Sequence, residues 1–291
     1  MSKILITGAS GLLGSSISPY FLRQNYQVIR LGNNSNADVN ADLTNYESTQ
    51  TILDEICPEI IINLVALTDV DSCERNPHKA YLINTKTVAN IVGWVNRNPS
   101  CHLIHISTDQ LYHNEGPSKE NDLTLINTYA YSKYAADLIA LQVNATILRT
   151  NFFGYSNCNS KISFSDWLLK ALNEQEITKV FTDVKFSPLL IETLCQMLNE
   201  VVKDPKPGIF NLGSKFGMSK ADFAFKLAKS FELNSSNLQR TLSSSFQFEA
   251  SRPNDMQMDS SYFEETFEVK LPSLSDEIDK LVQISKDRLA R

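Results

Sequence analysis

The chain has 291 residues, of which 42% are hydrophobic and 21% charged, an ordinary balance for a soluble globular enzyme of one large or two smaller domains. Its net charge of −6 argues against nucleic-acid binding, which needs a basic face to displace counterions, and no apolar run approaches the roughly 20 residues that span a bilayer. The N-terminal MSKILITGAS lacks the pattern of a signal peptide. The five scattered cysteines Cys57, Cys73, Cys101, Cys158 and Cys195 contain no CxxC and fit a reducing, cytoplasmic setting better than a disulfide framework or zinc site.

KILIT (3–7) reads as a strand and LLGSSISPYFLRQN (12–25) as a helix that Pro19 should disturb. Between them TGASGLLG sets Gly8, Gly11 and Gly14 where a strand turns into a helix. Gly8 suits the tight turn, Gly11 a close approach of backbone to pyrophosphate, and Gly14 close helix–strand packing. The helix N-terminus adds unpaired amides and a positive dipole. A dinucleotide site is expected. The second strand, YQVIRL (26–31), is followed by Gly32 and Asn33, where an acid would repel a 2′-phosphate, so NADPH is favoured over NADH, with Arg30 nearby. Asp42 suits either the adenine amino group or a helix cap.

A helix over TNYESTQTILDEI leads to the apolar strand EIIINLVA (59–66), a helix near 77–97, and the buried strand CHLIHIS (101–107). His102 and His105 are three apart on that strand and face opposite ways, so they are read as ordinary sheet positions rather than a metal pair, as are His78 and His113 elsewhere. In the next helix, NTYAYSKYAAD, only Tyr129 lies four residues from Lys133 and shares its face. The strand NATILRT (144–150) completes a run of apolar strands separated by helices. That pattern predicts an α/β fold with a doubly wound parallel sheet, a Rossmann domain over 1–150.

Further helices are expected near 162–173 and 189–203, then a strand PGIFNLG (207–213), a helix over SKADFAFKLAKSFEL capped by Ser219, an irregular region from about 240, and a last helix near 273–290. Residues 186–212 are expected to return to the Rossmann domain. Residues 151–185 and 213–291 are expected to form a smaller substrate-binding domain.

These motifs together resemble the extended short-chain dehydrogenase/reductases, and within them the dTDP-4-dehydrorhamnose reductase group. The resemblance runs through TGASGLLG, NLVALTDVDSCERNP (63–77), ISTDQLY (106–112), TYAYSKYAAD, LRTNFFG (148–154), FSPLLIETL (186–194) and SRPNDMQMDSSYF (251–263). It implies Tyr129 as proton donor, Lys133 as the cation beside it that also holds the nicotinamide ribose, and Thr108 as a second hydroxyl on the substrate oxygen. A nearby cation favours the phenolate whereas burial opposes it, so the lysine is expected close to the phenol.

The implied cofactor residues are Gly8, Ser10, Gly11, Leu12, Leu13, Gly14, Asn33, Asp42, Leu43, Leu64, Ala66, Tyr129 and Lys133. Thr68, Val70, Thr108, Asp109, Phe152 and Arg252 are implied on the substrate side, Arg252 toward a diphosphate or in an ion pair. Leu64 and Val65 stand where the group has small alanines, and Phe152 where it often has a tryptophan. Related dehydratases carry an Asp–Glu pair, whereas here Asp109 is followed by Gln110, an amide that cannot exchange a proton near neutral pH, so reduction is expected rather than dehydration. Asp109 then orients Thr108 or the substrate, or caps a loop. The resemblance also implies a sugar-nucleotide substrate in deoxysugar (dTDP-rhamnose-type) biosynthesis, a homodimer, and magnesium as a possible cofactor, although no acidic cluster is assignable to a metal. An epimerase on the same scaffold and a non-catalytic regulatory subunit remain rivals.

Overall fold

The computed structural model describes residues 2–32, 37–158 and 161–289. The first strands are β1 (Lys3–Thr7), β2 (Gln27–Gly32), β3 (Val39–Asn40), β4 (Ile60–Asn63), β5 (His102–Ile106) and β6 (Ala145–Thr150). Short strands β7 (Phe152–Phe153), β8 (Thr178–Phe181), β9 (Lys185–Phe186) and β10 (Leu189–Leu190) precede β11 (Gly208–Leu212), and β12 (Met218–Ser219), β13 (Leu238–Thr241) and β14 (Asp255–Met256) follow it. The helices are α1 (Gly14–Arg23), α2 (Tyr46–Ile56), α3 (Val70–Arg75), α4 (Pro77–Ala80), α5 (Thr87–Val95), α6 (Thr128–Ala140), α7 (Phe164–Asn173), α8 (Ile191–Lys203), α9 (Lys220–Ser230), α10 (Ser261–Phe267) and α11 (Leu274–Leu289).

Among the described residues, seven strands form one parallel sheet in the order β11-β6-β5-β4-β1-β2-β3. The order reverses between β1 and β4, the place where open α/β sheets bind ligands beyond their strand C-termini. Parallel strands are covered on both faces and so read as continuous apolar runs. Here the side chains alternate between two cores. Ile4, Ile6, Ile62 and Ile104 pack with α1 and α8 on one face. Leu5, Ile61, Leu103 and Ile147 pack with α2, α5 and α6 on the other. A third core, with Phe153, Leu168, Phe223, Leu227 and Ile278, belongs to the smaller unit built on β8–β9 and α7, α9 and α11.

Four details differ from the sequence reading. Helix α1 runs through Pro19 unbroken, because a single lost amide removes one rung from an otherwise buried, packed helix. The helix expected over 77–97 is in three pieces, α4, a π-helical turn over Tyr81–Lys86, and α5. Phe263 and Leu271, expected in the substrate unit, pack instead into the sheet core. The return of 186–212 is likewise divided: Leu189 and Ile191 join the sheet core, while Phe186 and Leu190 join the smaller unit.

Candidate active site

The chain leaves β1 at Thr7 and turns at Gly8, whose φ of +66° is in the left-handed region that glycine adopts without steric cost. Gly11 donates its amide to the Gly8 carbonyl at 3.0 Å, closing the loop. At Gly14 a Cβ would stand 2.5 Å from the Gly8 oxygen and 2.6 Å from the Ala9 Cα, so only glycine lets α1 start this close to the strand. The Ser15, Ser16 and Ile17 amides are taken by the Gly11 and Leu13 carbonyls at 2.9–3.0 Å, so the backbone amides bordering the cleft of about 910 Å³ at the switch point are those of Leu12, Leu13 and Gly14, at the N-terminus of α1. An anion is favoured there by those donors and by the helix dipole.

Across the cleft, Thr108 follows β5 and caps a short 3₁₀ turn by accepting from the Gln110 amide at 3.2 Å. Tyr129 lies in the first turn of α6, whose N-cap Asn127 accepts from the Ala130 amide at 2.8 Å and donates to the Ser251 carbonyl at 2.9 Å. The Thr108 hydroxyl stands beside the Tyr129 phenol and favours its ionised form. Lys133, one turn on, is 1% exposed and donates to the Ile106 carbonyl at 2.7 Å. Its Nζ also lies 3.3 Å from His105 Nε2. Tyr129, Thr108 and Lys133 all line the cleft.

The π-helical turn locks this cluster from below. Asn84 accepts from the Leu67 amide at 2.7 Å, donates to the Leu67 carbonyl at 3.1 Å and to Ser132 Oγ at 2.9 Å. The loop after β4 and the helix carrying Tyr129 are thereby tied to one side chain. π-bulges are frequent at functional sites.

Burial sets the electrostatics. It raises the Tyr129 phenol above its ordinary value, and the Thr108 hydroxyl only partly offsets this. It lowers Lys133 to about 8, with Asp137 acting the other way. The expected lysine-driven lowering of the phenol is absent, because the ammonium turns to Ile106 and His105 rather than to the ring hydroxyl. Asp109 is raised to about 6, chiefly by burial, while a hydrogen bond from Asn151 at 2.6 Å acts in the opposite sense.

Residues 2–286 match the profile of the RmlD substrate binding domain family. The chain belongs to that family. It is thus an extended short-chain dehydrogenase/reductase with the fold that its motifs implied. The probable low-salt glycan biosynthesis reductase Agl14 of Haloferax volcanii is 26% identical over 94% of this chain and 95% of its own. A dTDP-4-dehydrorhamnose reductase of Aggregatibacter actinomycetemcomitans is 29% identical over 78% of each chain. Methionine adenosyltransferase 2 subunit beta of Xenopus laevis is 26% identical over 81% of this chain and 74% of its own. The crystal structure of a Bacillus anthracis dTDP-4-dehydrorhamnose reductase in complex with NADP superposes with a TM-score of 0.87 at 23% identity, covering 96% and 98% of the two chains, and so shares the fold.

In this RmlD-family chain the cleft brings together Gly8, Ser10, Gly11, Leu12, Leu13, Gly14, Asp42, Leu43, Leu64, Ala66, Thr68, Asp109 and Phe152 with the three cluster residues. Asn33 lies outside the described residues. Asp42 borders the cleft while accepting from the Thr44 amide at 2.9 Å and hydroxyl at 2.7 Å, which makes it a turn cap just before α2. Arg30 is held by Asp38 at 2.6 and 3.1 Å and so is not offered to a ligand.

Two substrate-side expectations are placed elsewhere. Val70 packs under the site with Cys73, Ala80, Tyr129 and Ala250, because as the first residue of α3 it points into that small core. Arg252 pairs with Asp71 at 2.8 Å and stacks on Phe248, which makes it the ion pair of the two roles weighed for it. Among the described residues no group of three or more His, Cys, Asp or Glu side chains is placed to hold a metal, so the magnesium expectation gains no support. None of the helices among the described residues is long and apolar enough to cross a membrane.

The sequence reading missed Asn84, Asn151 and His105. Asn151 stands inside the quoted LRTNFFG, and Asn84 within the helix expected near 77–97. His105 was set aside because strand spacing shows only the face a side chain occupies, and its partner Lys133 is 28 positions away.

Proposed function

We propose that this protein reduces a 4-keto-6-deoxy sugar nucleotide with a nicotinamide dinucleotide, the 2′-phosphorylated form favoured. The observation that carries this reading is the buried Thr108–Tyr129–Lys133 cluster at the mouth of a glycine-loop cleft. The residues present fit the cofactor: Gly8, Gly11 and Gly14 hold the loop clear for a pyrophosphate, and Gly32 ends β2 without a carboxylate to repel a 2′-phosphate. When bound, the reduced cofactor supplies the hydride.

The protein supplies the rest. Thr108 and Tyr129, each 5% exposed, present two hydroxyls to the oxygen on which negative charge develops. Tyr129 gives its proton to that oxygen, turning carbonyl plus hydride into an alcohol. Its high acid range keeps it protonated beforehand. The Lys133 ammonium offsets the phenolate left behind. Gln110 borders the same cleft as an amide, which disfavours dehydration. A homodimer and deoxysugar biosynthesis belong to the same reading.

Consumption of NADPH against a panel of keto-sugar nucleotides tests it, with NADH as the comparison. Tyr129→Phe should lower turnover by roughly a hundred- to ten-thousand-fold with the fold intact. Product formation without net cofactor oxidation would mean an epimerase. The likeness to methionine adenosyltransferase 2 subunit beta favours a second reading, a regulatory subunit. Full cellular function of Tyr129→Phe would support that one.

A further inference from the structure

On the face covered by α5 and α6, five strands carry, at or next to their C-terminal residue, a polar residue two places after an apolar one: Leu5 and Thr7, Ile61 and Asn63, Leu103 and His105, Ile147 and Arg149, Ile209 and Asn211. Thr7, Asn63 and His105 are register partners across three adjacent strands, as are Arg149 and Asn211. All five are at most 1% exposed. Helix α6 lays Lys133 and Asp137 along this row, with Asp137 accepting from Arg149 at 3.0 Å.

The half beneath Lys133 has a direction. The Val65 amide, which can only donate, faces Asn63 Oδ1 at 3.4 Å, and the Thr7 hydroxyl donates to the same oxygen at 2.6 Å. The carboxamide is thereby oriented with Nδ2 toward His105 Nδ1, 3.1 Å away. An NH₂ group has no acceptor lone pair to offer, so Nδ1 must accept. Complete burial keeps the imidazole neutral, and its one proton therefore sits on Nε2. That N–H faces Lys133 Nζ at 3.3 Å, with Asp137 Oδ1 at 3.9 Å.

We propose that His105 is a positioning residue for Lys133, its tautomer fixed by Asn63 and Thr7 so that an N–H is turned toward the lysine nitrogen. An N–H in that place donates to a neutral amine and repels an ammonium. The row thus biases the lysine toward releasing its proton while the Ile106 carbonyl keeps the nitrogen in place. The charged and titratable groups facing the pair are Asp137 and Tyr129 of α6, Arg149 of β6, and Tyr112 beyond Arg149. Asp137 favours the ammonium, and burial disfavours it. The functional meaning of this device rests on the role proposed above for Lys133; its existence does not.

The test uses the whole chain without substrate or cofactor. Nitrogen-15 histidine spectra distinguish the two neutral tautomers, and His105→Gln assigns the signal. Carbon-13 labelling at lysine Cε follows Lys133, assigned by Lys133→Arg. In the wild type, His105 should remain the neutral Nε2–H form between about pH 5 and 8. Asn63→Asp accepts from Nδ1–H, reverses the tautomer, and should raise the Lys133 midpoint by about one pH unit. Asn63→Leu releases the constraint and should shift it the same way. An Nδ1–H tautomer in the wild type overturns the proposal, and so does an unmoved Lys133 midpoint in a folded Asn63→Asp. If neither variant folds, the wild-type tautomer alone decides. A reductase assay that fails leaves these spectra unaffected, so the two ideas stand or fall separately.

Discussion

Tyr129 and Lys133 show how one helix turn can hold two opposed demands. On the proposed reading the phenol keeps its proton until the reaction, and burial favours that. The same reading needs the lysine charged when the phenolate forms, yet burial lowers it to about 8. The ammonium is present below that value and lost above it. Reductase turnover should therefore fall as pH rises through about 8, read as a descending limb in the pH profile of NADPH oxidation. A profile flat to well above that point would show that the lysine charge is not used. The i, i+4 spacing was legible in the sequence, and so was the face that the two share. What each head group touches was not, because Ile106 and His105 come from a strand more than twenty residues upstream.

At the level of elements, the crossing of β1 and α1 is the tightest join. Gly14→Ala would drive a methyl into backbone that cannot yield, 2.5 Å from the Gly8 oxygen. The expected cost is about 1–3 kcal/mol, with weakened dinucleotide binding, measured by denaturant unfolding and by titration with NADPH. Stability and affinity equal to wild type would show that the loop relaxes freely. A second join is Asp71, which accepts from the Ala250 amide at 3.0 Å and from Arg252 at 2.8 Å, pinning the 249–252 segment to α3. Asp71→Ala should speed proteolytic cleavage in that segment while leaving the melting transition of the sheet nearly unchanged.

The strands and most helices could be read from β-branched runs and periodicity, since those patterns report burial directly. The π-helical turn could not, because six residues are too few for apolar spacing to tell a π turn from an α turn. Nor could the fate of Pro19, which depends on the packing around α1. The end of β4 at Asn63 was also hidden: the apolar run continues to Ala66, but its last residues line the cleft instead of the sheet.

Considered whole, the molecule buries two histidines on one strand, and they respond to acid in the same sense. His102, bonded to Thr146 at 2.7 Å, is lowered by burial to about 4. The native state favours its neutral form. Its contribution is complete above the unfolded value near 6.5 and is lost as pH falls from there toward about 4, up to about 3 kcal/mol. Wild type should therefore lose more stability across that window than His102→Gln, by comparison of denaturant midpoints at each pH. Parallel slopes would refute this.

Strand β11 adds a constraint on how the chain matures. It pairs with β6 along five register positions and supplies the neighbour for Arg149, yet it is made only after the whole of α7 and α8. A nascent chain that has emerged as far as β6 carries a buried-type guanidinium on an open sheet margin, with its companion strand still unsynthesised. A fragment ending at Thr150 should aggregate or remain unfolded, whereas one extended through Leu212 gains the closing strand.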